Sequence, residues 1–157
     1  MPTSTLSSLA LIAALGADPA PSPSPSPSQE ALYRALVVRE GAPTCAELAP
    51  LSPTLVEDLV YLTENAKQPT WVGIRAAECL LTDHQEAALP VIIGWMGRSD
   101  AKGFALVAVE KLDRMPIDRA KAVARAGLAG PLAETLRPRI ARLPQAELAA
   151  LATPVAK

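Results

Sequence analysis

Hydrophobic and polar positions divide the chain into three textures. Residues 6–17 form a short apolar run, and residues 19–28 replace it with proline and serine, alternating from Pro21. From Gln29 onward the apolar residues recur at helical spacing. Ala31, Leu32, Ala35, Leu36 and Val38 make one stripe, which closes near Gly41 and Pro43. Ser52 followed by Pro53 reads as the next start, with serine as the cap and proline in the first helical position. Leu55, Val56, Leu59, Val60 and Leu62 continue it on one face. A helix opening at Thr70 carries Val72, Ile74, Ala76, Ala77, Leu80 and Leu81. Similar spacing predicts helices over 85–96, 101–112, 118–128, 131–143 and 145–152. Their connections are short and polar, with proline or glycine at most of them, which implies antiparallel neighbours.

The two leading textures are read as a leader and a spacer. The apolar run has the length of a signal-peptide core and is too short to span a bilayer. Ala14, Gly16 and Ala17 supply small residues for cleavage, although no lysine or arginine precedes the run. The absence of a cysteine behind it speaks against a lipoprotein. Proline fixes φ and removes the amide donor, so the Ser-Pro stretch predicts an extended, semi-rigid spacer. The expected organisation is a signal-peptide-like leader at 1–17, a linker at 18–28, a helical domain at 29–153 and a tail at 154–157. The expected location is periplasmic or secreted, with no integral membrane segment once the leader is removed. The alternative is a cytoplasmic protein whose first residues form a helix packed on the domain.

Composition narrows the fold class. Half of the residues are hydrophobic but only 3% are aromatic, so Ala, Leu, Val and Ile must fill the core. Small aliphatic side chains let helix backbones approach, whereas sheets favour β-branched and aromatic residues. The chain is predicted to be all-α, with one domain behind the linker.

The helical region also repeats. The segment IRAAECL at 74–80 lies 32 residues before LVAVEKL at 106–112, with Ala76/Ala108, Glu78/Glu110 and Leu80/Leu112 identical. Residues 106–112 compare more loosely with 137–143. A two-helix period of this size signals a helical solenoid. The segment IRAAECLL resembles the second-helix signature of HEAT repeats. ALPVIIGWMGRSD resembles the first helix, with Pro90 at the helix-bending position and Asp100 at the turn. The resemblance covers residues 52–143, as two good repeats and one degenerate one. It implies a short right-handed α-α solenoid of HEAT-like hairpins, without chemistry of its own, presenting a curved surface to another protein. Arg75 stands where the family has its arginine, but the counterpart in the next repeat is Val107, so the family's Asp–Arg ladder is incomplete. A compact irregular helical bundle is the alternative.

Nothing in the sequence points to catalysis or to a cofactor. His84 is the only histidine; at a helix–helix turn it reads as a cap or surface residue. With two cysteines and one histidine, no zinc site of usual spacing can be assembled. Glu57 and Asp58 are adjacent and point in different directions on a helix. The glycines are scattered, and no G-x-S-x-G elbow is present. Trp71 and Trp95 are expected in the core, one anchoring each hairpin. Cys45 and Cys79, an even count in an exported chain, predict one disulfide. The alternative is two buried thiols.

Charge supplies the candidate surface. Net charge is −1 overall. Residues 1–100 hold five bases against eleven acids, a net of −6, and residues 101–157 hold ten bases against five acids, a net of +5. Lys121 and Arg125 share a helix face at i and i+4, and Arg139 and Arg142 lie three apart on the following helix. These four are the candidate partner-binding residues, for an acidic protein or an acidic envelope polymer. Nucleic-acid or other polyanion binding through Lys111, Arg114, Arg119, Arg137 and the same four is the alternative, and the export-like leader argues against nucleic acid.

Overall fold

The structure, a computed structural model, describes residues 24–153. The expected leader, the linker before residue 24 and the expected tail lie outside the described residues. Nine α-helices occupy the described residues, without strands. They are α1 (Pro27–Leu36), α2 (Cys45–Leu48), α3 (Leu55–Asn65), α4 (Thr70–Thr82), α5 (Gln85–Met96), α6 (Lys102–Glu110), α7 (Ile117–Ala129), α8 (Ala133–Ile140) and α9 (Ala146–Ala152).

Three starts differ from the sequence-based expectation by two residues, that of α8 falling at Ala133 rather than Pro131. Helix α1 begins two residues inside the segment expected to be linker. Ser26 and Gln29 form a reciprocal capping box, with the Ser26 hydroxyl accepting from the Gln29 amide at 3.2 Å and Gln29 Oε1 accepting from the Ser26 amide at 2.9 Å. Pro27 is tolerated because the first helical turn needs no amide donor, so proline excludes a helix interior but not a helix start. Helix α3 begins at Leu55 rather than Pro53. The Ser52 hydroxyl still accepts from the Thr54 amide at 3.0 Å, but its own proton goes to Asp58 at 2.6 Å. Ser52 thus ties a turn to the helix instead of capping it at Pro53.

Consecutive helices pack as pairs across short connections: α3 with α4, α5 with α6, α7 with α8. Helices α3, α5, α7 and α9 also touch in series, as do α4, α6 and α8, while α1 lies against α3 and α4. The interior between the two series is built from small and branched aliphatic side chains. Ala76, Ala77 and Leu80 of α4, Ala105 and Ala108 of α6, and Val123 and Ala124 of α7 are all fully buried. Alanine at these contacts brings the helix axes close. Approach is tightest where α7 ends. A Cβ on Gly127 would stand 2.9 Å from Leu136 Cδ1, and a Cβ on Gly130 would collide with the Met96 carbonyl oxygen.

The two tryptophans part company. Trp95 is 1% exposed, with its ring centroid 5.2 Å from that of Phe104. Trp71, expected to be its equivalent, is only half-buried. Its Nε1 donates to the Val37 carbonyl at 3.2 Å, and the Arg39 guanidinium lies 5.4 Å from the ring centroid. It fastens the segment after α1 rather than filling the core. Among the described residues, no helix is long and apolar enough to cross a membrane.

Candidate functional site

The first described helix is anchored by a buried carboxylate. Asp58, on α3, accepts hydrogen bonds from Ser28 and Ser52 at 2.6 Å, from Gln29 Nε2 at 2.9 Å and from Thr54 Oγ1 at 3.4 Å. Burial works to raise its pKa, but these four donors outweigh it and hold the carboxyl below its ordinary value. Arg75 closes the other end of α1. Its Nη1 donates to the carbonyls of Leu36, at 2.7 Å, and Val38, and its Nη2 to the carbonyl of Arg39 at 3.0 Å. A cation is favourable at a helix C-terminus, where carbonyls lack amide partners. The arginine singled out in the sequence therefore acts as a helix cap, not as the rung of an Asp–Arg ladder.

A different ladder joins the helix pairs. Arg98 Nη1 meets both Glu64 oxygens at 2.9 Å, Lys111 meets Glu78 at 3.7 Å, Arg119 meets Glu86 at 2.7 Å and Arg139 meets Glu110 at 3.4 Å. Lys121 pairs with Glu147. Partners bonded across the first, third and fourth of these rungs are 34, 33 and 29 residues apart, close to the sequence repeat of 32. Glu78 and Glu110, identical in that repeat, do the same work in successive pairs. Asp100 chelates Arg98 from its own turn, and Asp100 and Glu64 together push the guanidinium pKa up, while Arg98 draws the Asp100 carboxyl down. The rungs lie at the surface, where each contributes about 1 kcal/mol or less. Their value is in register, since each cation reaches its acid at only one alignment of the neighbouring pairs.

This ladder engages much of the basic C-terminal half. Of the eight cations considered from the sequence, Lys111, Arg119, Lys121 and Arg139 are ion-paired, and Arg137 donates to the Ala152 carbonyl at the end of α9 at 3.2 Å. Lys121 and Arg139, two of the four residues proposed from charge spacing, are thus turned to different neighbours, α9 and α6. Arg125 and Arg142, the other two, are exposed and their side chains make no hydrogen bond or ion pair with a described residue, and the Arg114 side chain is likewise free. Helical spacing shows which cations share a face. It does not show which acids of a neighbouring pair will occupy them.

Cys45 and Cys79 form the expected disulfide, with Cα atoms 5.4 Å apart. It ties α2 to α4. Helix α2 was not legible from periodicity, because four residues are too few to make a stripe; its start is marked by a Thr44–Glu47 capping box instead. His84 occupies the cap position of α5, but its side chain makes no capping bond. Instead a ring nitrogen of His84 and both sulfurs lie within 4.8 Å of one another. The five-residue step from Cys79 to His84 around the end of α4 was the available signal; the long-range approach of Cys45 was not. A separate groove of about 660 Å³ opens between α1 and α3, with Tyr33 and Tyr61 in its wall and Pro25 at its edge. Compared with known proteins, the chain matches no family model, no curated protein and no solved structure.

Proposed function

We propose that the chain is a non-catalytic interaction module of an exported protein, a short right-handed α-α solenoid of HEAT-like hairpins that binds an acidic partner protein. The order of helix contacts supports the solenoid reading over an irregular bundle: pairs in sequence, then each series touching its like. The disulfide supports an oxidising compartment. The observation that carries the binding reading is the residue of the ladder. Four of the eight C-terminal cations considered are neutralised by acids of neighbouring helices, whereas Arg125 and Arg142, like Arg114, are left exposed and unpaired. Lys121 and Arg139, already paired, act in this reading by setting the field around them.

The test is retention on immobilised polyglutamate, compared with duplex DNA of equal charge. Binding to polyglutamate should weaken as salt rises, because such attraction is screened over about 8 Å at physiological ionic strength. Arg125→Glu with Arg142→Glu should abolish retention while leaving the unfolding midpoint unchanged, since exposed charges contribute little to stability. Retention that is flat in salt and unaltered by the double reversal refutes the reading. Tighter binding to DNA transfers the surface to a nucleic-acid role. Intact mass of the protein from its host tests export: a chain retaining Met1 in the cytoplasm removes that part of the proposal.

A further inference from the structure

The Cys45–Cys79 disulfide has an imidazole against it. Three parts of the chain converge there: α2, the body of α4, and the two-residue joint between α4 and α5. Cys79 is buried, Cys45 and His84 are half-buried, and a cavity of about 360 Å³ has both cysteines in its wall. The His84 backbone carbonyl accepts from the Ala88 amide, but its side chain makes no hydrogen bond or ion pair with a described residue, so the ring nitrogens are unclaimed by the fold.

We infer that the reduced form of this cluster is a binding site for Cu(I). Two thiolates and a neutral imidazole form an S₂N donor set, and soft sulfur ligands select Cu(I) over hard divalent ions. No carboxylate joins the three donors within the same 4.8 Å. Three ligands suit Cu(I), whereas structural zinc takes four. Leu36 and Leu48 in the cavity wall shield the sulfurs from water, and Arg75 in the same wall offsets the negative charge that two thiolates leave on a monovalent ion. Glu78 and Asp83 also line the wall and oppose this, but Glu78 is ion-paired with Lys111.

The chemistry balances with a dithiol as reductant. It gives two electrons and two protons to the disulfide, opening it to two thiols, and is itself oxidised to a disulfide. Cu(I) then displaces both thiol protons to solvent and takes a lone pair from a His84 ring nitrogen. Two thiolates on one ion stand farther apart than bonded sulfurs. Cys79 is held in the core by α4, so the displacement falls to four-residue α2, which is joined to α1 through Gly41 at φ +65°. The same residues thus cross-link the fold when oxidised and hold an ion when reduced.

The experiment titrates the full chain, reduced by a dithiol under anaerobic conditions, with Cu(I) against a chromogenic Cu(I) chelator. One equivalent should bind, with a thiolate-to-copper charge-transfer band in the ultraviolet, and the oxidised chain should show neither. His84→Gln leaves the disulfide and the helices intact and should lower Cu(I) affinity at least about tenfold. Cys45→Ser with Cys79→Ser should remove the band. Equal affinity in H84Q, tighter binding of Zn(II) than of Cu(I), or a reduced chain whose far-ultraviolet circular dichroism collapses without uptake of the ion would each overturn the assignment.

Discussion

The two ends of the domain are held together by different physics. Around α1–α4 the fixtures are specific and partly buried: the Asp58 node, the Arg75 cap and the Cys45–Cys79 bond. From α5 to α9 the described residues hold no counterpart to the Asp58 node or the disulfide, and only Arg137, on the Ala152 carbonyl, matches the Arg75 cap. Gly130 lets its backbone meet that of Met96, Gly127 makes room for the Leu136 and Met96 side chains, and the charges form a ladder at the surface. The contrast follows from composition and position. Helix α1 packs on α3 and α4 and fully buries only Leu32 and Leu36, with Tyr33 and Ala35 partly buried against the core, too little apolar area to hold it by burial alone. Polar and covalent fasteners supply the remainder. Helices α5, α6 and α7 bury three or four residues each and are held mainly by that burial.

The largest effect is expected from the disulfide. Its partners are separated by 34 residues. Closing a loop of that length stabilises the fold by about 3–4 kcal/mol in the chain-entropy model. Cys45→Ala with Cys79→Ala should lower stability by that amount under denaturant. Hydrogen exchange should show α1 and α2 opening ahead of α7 and α8; uniform opening would erase the distinction between the two ends.

Next is Asp58. Asp58→Ala leaves Ser28, Ser52 and Gln29 without their acceptor and should cost about 2–3 kcal/mol. Because the folded carboxyl is held below its ordinary value, its contribution is present above the unfolded pKa of about 4 and is lost as pH falls through the folded pKa. The stability of wild type should therefore drop below about pH 4 more steeply than that of Asp58→Asn. Parallel pH profiles would show that the node does not act through its charge.

At the other end, Gly130→Ala places a Cβ against the Met96 carbonyl and should destabilise by about 1–3 kcal/mol, as overpacking does. Gly94→Ala, where no atom lies within 4 Å of the added carbon, is the control and should be neutral or mildly stabilising. The smallest effect belongs to the ladder. Glu110→Gln should change the unfolding midpoint by less than about 1 kcal/mol, and high salt should remove what difference there is.

Much of the helical layout was legible because amphipathic spacing is a local property. Helices α4 and α5 begin at the residues the pattern indicated, Thr70 and Gln85, and the disulfide followed from a count of two cysteines behind an export-like leader. The start of α1 was missed because proline chemistry was applied to a helix interior rather than to its first turn. Trp71 was misplaced because its sequence neighbours resemble those of a core residue, while its indole partner, Val37, lies 34 residues away.

By itself, then, the sequence determined an all-helical chain, its repeat of 32 residues and which cations share a helix face, since each depends on residues within a few turns of one another. Tertiary structure alone decided that Arg75 caps α1 and that Lys121 and Arg139 are already paired while Arg125 and Arg142 are free. It also decided that the lone histidine meets both cysteines. Each of these depends on which helix lies beside which, and a side chain's partner across an interface is set by how helices stack, about which local periodicity carries no information.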